Sequence, residues 1–128
     1  MKVWFGYGSE HSAKLVIIGT FKSNEDASVA ARLIEEASEI ALREHEAGRL
    51  SKETFSPEML QLISNHSLGF NYADPEQLIY EFNAHQEGSK VIIKTDETDI
   101  QAFLKIFIRY GARVEMFSTH DYPSEYNR

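Results

Sequence analysis

The sequence predicts an α+β fold: an antiparallel sheet with helices on one face, in the βαββαβ order of the ferredoxin-like plait, with an extra N-terminal strand and an inserted short helix. Two stretches carry this reading. Lys90–Ser118 (KVIIKTDETDIQAFLKIFIRYGARVEMFS) reads as a buried strand, an amphipathic helix and a returning strand. Upstream, LVIIGTFK precedes a long alanine-rich amphipathic segment, so the strand–helix order occurs twice.

Lys2–Phe5 (KVWF) is a short strand candidate and Leu15–Lys22 a stronger one, joined by GYGSEHSAK. Gly19, inside the second strand, signals a bulge or the close approach of a neighbouring element. Ser23 opens a long helix with Asp26 as its capping-box-like partner. Ala27, Ala30, Ala31, Leu33, Ile34, Ala37, Ile40 and Ala41 make its buried stripe, and small side chains on that stripe let the helix lie close to a sheet. Glu35, Glu36 and Glu39, with Glu44 and Glu46, read as a solvated face, and Gly48 as the terminator.

Arg49–Phe55 is a linker. Ser56 caps a shorter helix with Pro57 at its first position, running to about Asn65 with Met59, Leu60 and Ile63 on its apolar side. HSLGFNYADP is irregular. Pro75–Asn83 is ambiguous: Asp74-Pro75-Glu76 suits a helix start, but Leu78, Tyr80 and Phe82 alternate, so a strand is predicted, with Ala84–Ser89 turning into Val91–Thr95. Asp96 or Thr98 then caps a helix whose Ile100, Phe103, Leu104, Phe107 and Ile108 share one face. Gly111 ends it, Val114–Phe117 forms the last strand, and STHDYPSEYNR is a polar tail. In the plait the first strand is central, so the extra strand joins a sheet edge through GYGSEHSAK or else the strand order differs.

At 128 residues, with 42% hydrophobic content, the chain is a single domain able to bury a core. It has no cysteine, which removes disulfides and thiolate zinc sites. The N-terminus lacks the apolar region of a signal peptide and no run reaches membrane-spanning length, so a cytoplasmic protein is predicted, with no membrane partner. A net charge of −7, with cations scattered along the chain, disfavours nucleic acid, because phosphate binding draws on clustered Lys and Arg.

The stretch most suggestive of a site is Gly6-Tyr7-Gly8-Ser9-Glu10-His11-Ser12. Its glycines allow turns that point N–H groups into a concavity, where Ser9, His11, Ser12 and Lys14 can hold a small anionic ligand. The same composition also suits a purely structural loop. It is neither a dinucleotide fingerprint nor a Walker loop, and its serine does not stand in G-x-S-x-G, so no cofactor is implied. His120 and Tyr122, around Asp121, follow the last strand and form a second, weaker acid/base candidate. The five histidines, His11, His45, His66, His85 and His120, show no metal-ligand spacing.

The opening WFGYGSEHS, followed by LVIIGTF, resembles a family of small uncharacterised bacterial proteins, over about the first quarter of the chain. The resemblance brings no activity with it. The sequence therefore predicts a small binding module without catalysis, taking a protein or a small ligand, with a homodimer through a bare sheet face as the default assembly. The competing reading is a small-molecule enzyme or ligand sensor that uses Gly6–Ser12 with His120.

Overall fold

A computed structural model of the chain describes the backbone of residues 2–4, and residues 15–51, 53–96 and 99–118 in full. The elements are β1 (Lys2–Trp4), β2 (Leu15–Thr20), α1 (Asn24–Glu46), α2 (Pro57–His66), a 3₁₀ helix (Asp74–Leu78), β3 (Phe82–Glu87), β4 (Lys90–Thr95), α3 (Gln101–Arg109) and β5 (Arg113–Ser118). The sheet order is β1-β5-β2-β4-β3. β5, β2, β4 and β3 are antiparallel neighbours, and β1 lies parallel to β5 at the edge. Each β–α–β unit thus straddles one strand, β2 and β3 enclosing β4 while β4 and β5 enclose β2, an order compatible with the ferredoxin-like plait. The extra strand takes the edge position, which leaves β2 central.

Alternation along β2 sorts the two faces. Leu15 and Ile17 join Val91, Ile93, Val114 and Met116 in the main core beneath the helices. Val16 and Ile18 point the other way and cluster with Ile92 and Phe117. All four are buried within the single chain, so the middle of the face away from the helices is not bare.

α1 begins where expected. Ser23 Oγ accepts from the Asp26 N–H at 3.1 Å, and Gly48 follows the C-cap with φ 71°. Its alanines are fully buried at positions 27, 30, 37 and 41, while Ala31 is half-buried. Glu44 departs from the solvated-face reading: its side chain is only 5% exposed and accepts from Arg49 Nε at 2.8 Å. Helical spacing brings Glu44 onto the Ala37–Ile40–Ala41 stripe, and the residue just beyond the Gly48 turn supplies its cation. That hydrogen bond, and the charge behind it, hold the Arg49 guanidinium above its ordinary range.

Ser56 and Pro57 start α2 as predicted, with Ser56 Oγ accepting from the Met59 N–H at 3.2 Å. The buried pair is Met59 and Leu62, whereas Leu60 is exposed and Ile63 half-buried. The predicted face was thus turned by about one position.

The strand predicted over Pro75–Asn83 is replaced by the 3₁₀ helix, and β3 runs later, through the residues predicted to turn. Asp74-Pro75 was the stronger signal, because proline fits a first helical turn and has no N–H for a ladder. Gly88 and Ser89 form the two-residue hairpin connection, Gly88 having the positive φ (62°) that a type II′ turn asks of its first central residue. β3 went unrecognised because FNAHQE has little apolar content: it is an edge strand, exposed from Asn83 to Glu87.

In α3, Phe103 and Phe107 are buried as expected, but Ala102 and Ile106 complete the core face and Ile108 is 61% exposed. Its N-cap position is held by Ile100, which offers no side-chain cap. Asp96 lies in a bend before it, and Thr98 falls outside the described residues. Gln77, from the 3₁₀ helix, accepts the Ala102 N–H at 2.9 Å instead. Phe107 sits over Gly19: a Cβ at that glycine would fall 2.9 Å from the ring, so the glycine marks a close approach and not a bulge.

Candidate functional site

The residues singled out from sequence as ligand-binding, Gly6, Tyr7, Gly8, Ser9, Glu10, His11 and Ser12 with His120 and Tyr122, all lie outside the described residues. Their anchors are described. Trp4, the last residue of β1, pairs with Phe117, and Leu15, the first of β2, pairs with Ser118. The strands that enter and leave the glycine-rich connection therefore flank β5 at the end where the C-terminal tail begins. With neighbouring strands about 4.8 Å apart, β1 and β2 stand roughly 10 Å from each other there.

The same sheet end carries a cavity of about 320 Å³ lined by Leu15, Glu81, Phe82, Asn83, Lys94, Thr95 and Asp96. Register explains this lining. Leu15 is opposite Thr95, which is opposite Phe82, and all three share the helix-side face at the last row of the sheet. Asn83 and Lys94 are paired one row in and face the other way, so the cavity wraps around the sheet end. Its floor includes buried Leu15 and half-buried Phe82, which stacks edge-on against Phe103 with centroids 4.9 Å apart. Glu81 and Asp96, both exposed, bring carboxylates to the rim, and half-buried Lys94 brings an ammonium. The set can accept hydrogen bonds from a ligand and donate to it, around a partly apolar floor.

Sequence reasoning missed these lining residues because it misplaced β3. The signal was present: counting outward from a Gly88-Ser89 hairpin turn puts Phe82 opposite Thr95 and Asn83 opposite Lys94.

Asp74 and Gln77 have structural partners. Asp74, 1% exposed, accepts from the Asn71 N–H at 2.8 Å and pairs with Lys105 of α3. Gln77, beside it, bridges to Gln101 at 3.3 Å, which fastens the 3₁₀ helix to the start of α3. His45 is exposed on the last turn of α1, and exposed His85 stands 3.6 Å from Glu87. Glu35, Glu36, Glu39 and Glu46 are exposed on α1. Among the described residues no group of three or more His, Cys, Asp or Glu is arranged to hold a metal, and no helix is long and apolar enough to cross a membrane.

No curated protein and no solved structure matches the chain. A family match does, and it extends over residues 1–128. The chain belongs to that family, DUF6375, a family of unknown function.

Proposed function

We propose that this protein is a small binding module that takes a small anionic ligand at the sheet end, between the cavity beside Thr95 and the Gly6–Ser12 loop, with His120 and Tyr122 of the tail contributing. One observation carries the reading: Trp4, Leu15 and Ser118, from which loop and tail spring, meet at the end of the sheet that holds the cavity. Chain length keeps the tail in range, since His120 is two residues past Ser118 and so within about 7 Å of its Cα. An anionic group would be met by Lys94 and by loop N–H groups that the glycines free to converge. Glu81 and Asp96 would receive the ligand's own N–H or O–H groups. A volume of about 320 Å³ suits a molecule near the small end of the usual ligand range.

The same convergence supports a second reading, in which His120 acts as an acid or base on the bound molecule. Binding without turnover separates the first reading from the second.

The test is a thermal-shift screen of small carboxylates and phosphates against the wild type and His11→Ala. A ligand present at about a hundred times its Kd adds about 2.7 kcal/mol of stability and raises the melting temperature. His11→Ala should abolish that rise and leave the ligand-free melting temperature nearly unchanged. A lowered ligand-free melting temperature, with ligand shifts intact, would make the loop structural and overturn the proposal.

A further inference from the structure

We propose a second, separate site where α1, α2 and α3 meet, binding a small oxyanion-bearing molecule through Arg32 and Nε2 of His66. His66 ends α2 and is half-buried. Its Nδ1 lies 2.6 Å from the hydroxyl of Tyr110, just past α3, with the two rings edge-on at 6.2 Å. Arg109 donates from Nε to the His66 carbonyl at 2.9 Å, and its guanidinium lies 5.4 Å from the centre of the Tyr110 ring. The imidazole is therefore fixed twice, through its backbone and through Nδ1. Where the phenol donates to Nδ1, the ring N–H left to bind is at Nε2, and that nitrogen has no hydrogen-bond partner among the described residues.

A cavity of about 280 Å³ opens beside it, lined by Val29, Arg32, Leu33, Glu36 and His66. Val29 is half-buried and Leu33 buried, which gives an apolar floor, and Arg32 and Glu36 stand on the exposed rim. Arg32 and Glu36 are one helical turn apart, yet neither has an ion pair or side-chain hydrogen bond among the described residues. Arginine N-terminal to glutamate is the weaker orientation for such a pair, so the guanidinium stays available. Fastening the end of α2 to the end of α3 accounts for the contacts of Arg109, Tyr110 and His66. It requires neither the cavity nor Arg32. A guanidinium and an oriented ring N–H on one concave surface suit a carboxylate or phosphate oxygen, bound by charge-assisted hydrogen bonds. Glu36 opposes the anion and limits its affinity.

The experiment follows the ring ¹H–¹⁵N signals of His66 during titration with inorganic phosphate and, separately, acetate, at constant pH and ionic strength. The expected result is a saturable shift of the Nε2 signal at millimolar probe. The probe that saturates at lower concentration identifies the phosphate or the carboxylate class. Arg32→Gln, on the exposed rim, should weaken binding at least about tenfold. Glu36→Gln should strengthen it several-fold, which a merely structural role for this corner does not predict. Tyr110→Phe should weaken it by releasing the ring. A His66 signal unmoved by both probes, or moved equally in wild type and Arg32→Gln, overturns the proposal.

Discussion

α1 and α3 lie on the same face of the same sheet, yet they are specified in opposite ways. α1 carries its own instructions: a serine cap whose hydroxyl takes the Asp26 N–H, a terminating Gly48, and a helix of 23 residues between them. It meets the sheet through alanines, so its backbone can lie close with little interlocking. α3 has nine residues, an isoleucine at its N-cap that offers no side-chain cap, and two phenylalanines that fill hollows made by other elements. Phe107 fills the space that Gly19 leaves open and meets Phe21 edge-on at 5.6 Å, while Phe103 meets Phe82 of β3. Its start is held by Gln77 and its flank by the Asp74–Lys105 pair, both reaching from the 3₁₀ helix. One helix is local and the other is tertiary.

If that contrast holds, the largest loss should come from the ring that α3 contributes. Phe107→Ala is expected to cost about 3–5 kcal/mol, as deletion of a fully buried aromatic does. Denaturant unfolding would measure it, and a loss below about 1 kcal/mol would place this face of α3 outside the core. Ala37→Gly in α1, which removes one methyl and adds backbone freedom, should cost only about 1–2 kcal/mol.

How much was legible in the sequence follows the same division. The bounds of α1 and its buried alanines could be read directly, because cap, stripe and terminator all lie in one continuous segment. The periodicity of α3 was visible, but the acceptor of its Ala102 N–H was not, since Gln77 lies 25 residues away on an element whose own alternation imitated a strand. Ile108 was placed inside by spacing alone, and the packing of Ala102 and Ile106 instead rotates the helix past it. The extra strand was seen, whereas its parallel pairing with β5 depends on long-range order that no local pattern encodes. For the sheet-end site the loop was noticed, while the cavity wall followed from a hairpin register that the polar β3 concealed.

The next effect in size tests the flank of α3. Lys105→Met keeps the aliphatic stem but leaves the buried Asp74 carboxylate with only its N–H donors from Asn71 and Gln77. Loss of a hydrogen bond to a charged group costs about 1.5–3 kcal/mol, and this figure falls toward its lower end because Lys105 is 31% exposed. The double variant Asp74→Asn with Lys105→Met should recover part of the loss. Strict additivity would show that the two residues do not act as a pair.

Gly19→Ala tests the hollow beneath α3. The added methyl would fall 2.9–3.0 Å from three atoms of the Phe107 ring, and Phe21 packs against that ring, so about 1–3 kcal/mol of overpacking is expected. With Phe107→Leu as the partner substitution, the double variant should lose clearly less than the sum of the singles. Equal losses on either background would mean the glycine is needed for some reason other than the ring.

The smallest effect separates the two helices most directly. Ser23→Ala and Gln77→Ala each remove one acceptor from a helix start, and each should cost about 1 kcal/mol in the intact protein. Their signatures should differ away from it. A peptide spanning residues 22–49 should be measurably helical by circular dichroism and lose helicity on Ser23→Ala, because cap and helix travel together. A peptide spanning residues 99–112 should be coil, because its nine-residue helix is shorter than the roughly 12–15 residues an isolated helix needs and Gln77 is absent. Within the intact protein, Gln77→Ala should speed hydrogen exchange at the Ala102 N–H, whose acceptor is Gln77, while the Asp26 N–H at the start of α1 stays as protected as before. Unchanged exchange at Ala102 would mean that the start of α3 is secured by something other than the 3₁₀ helix, and the contrast between a local and a tertiary helix would fail at its most specific point.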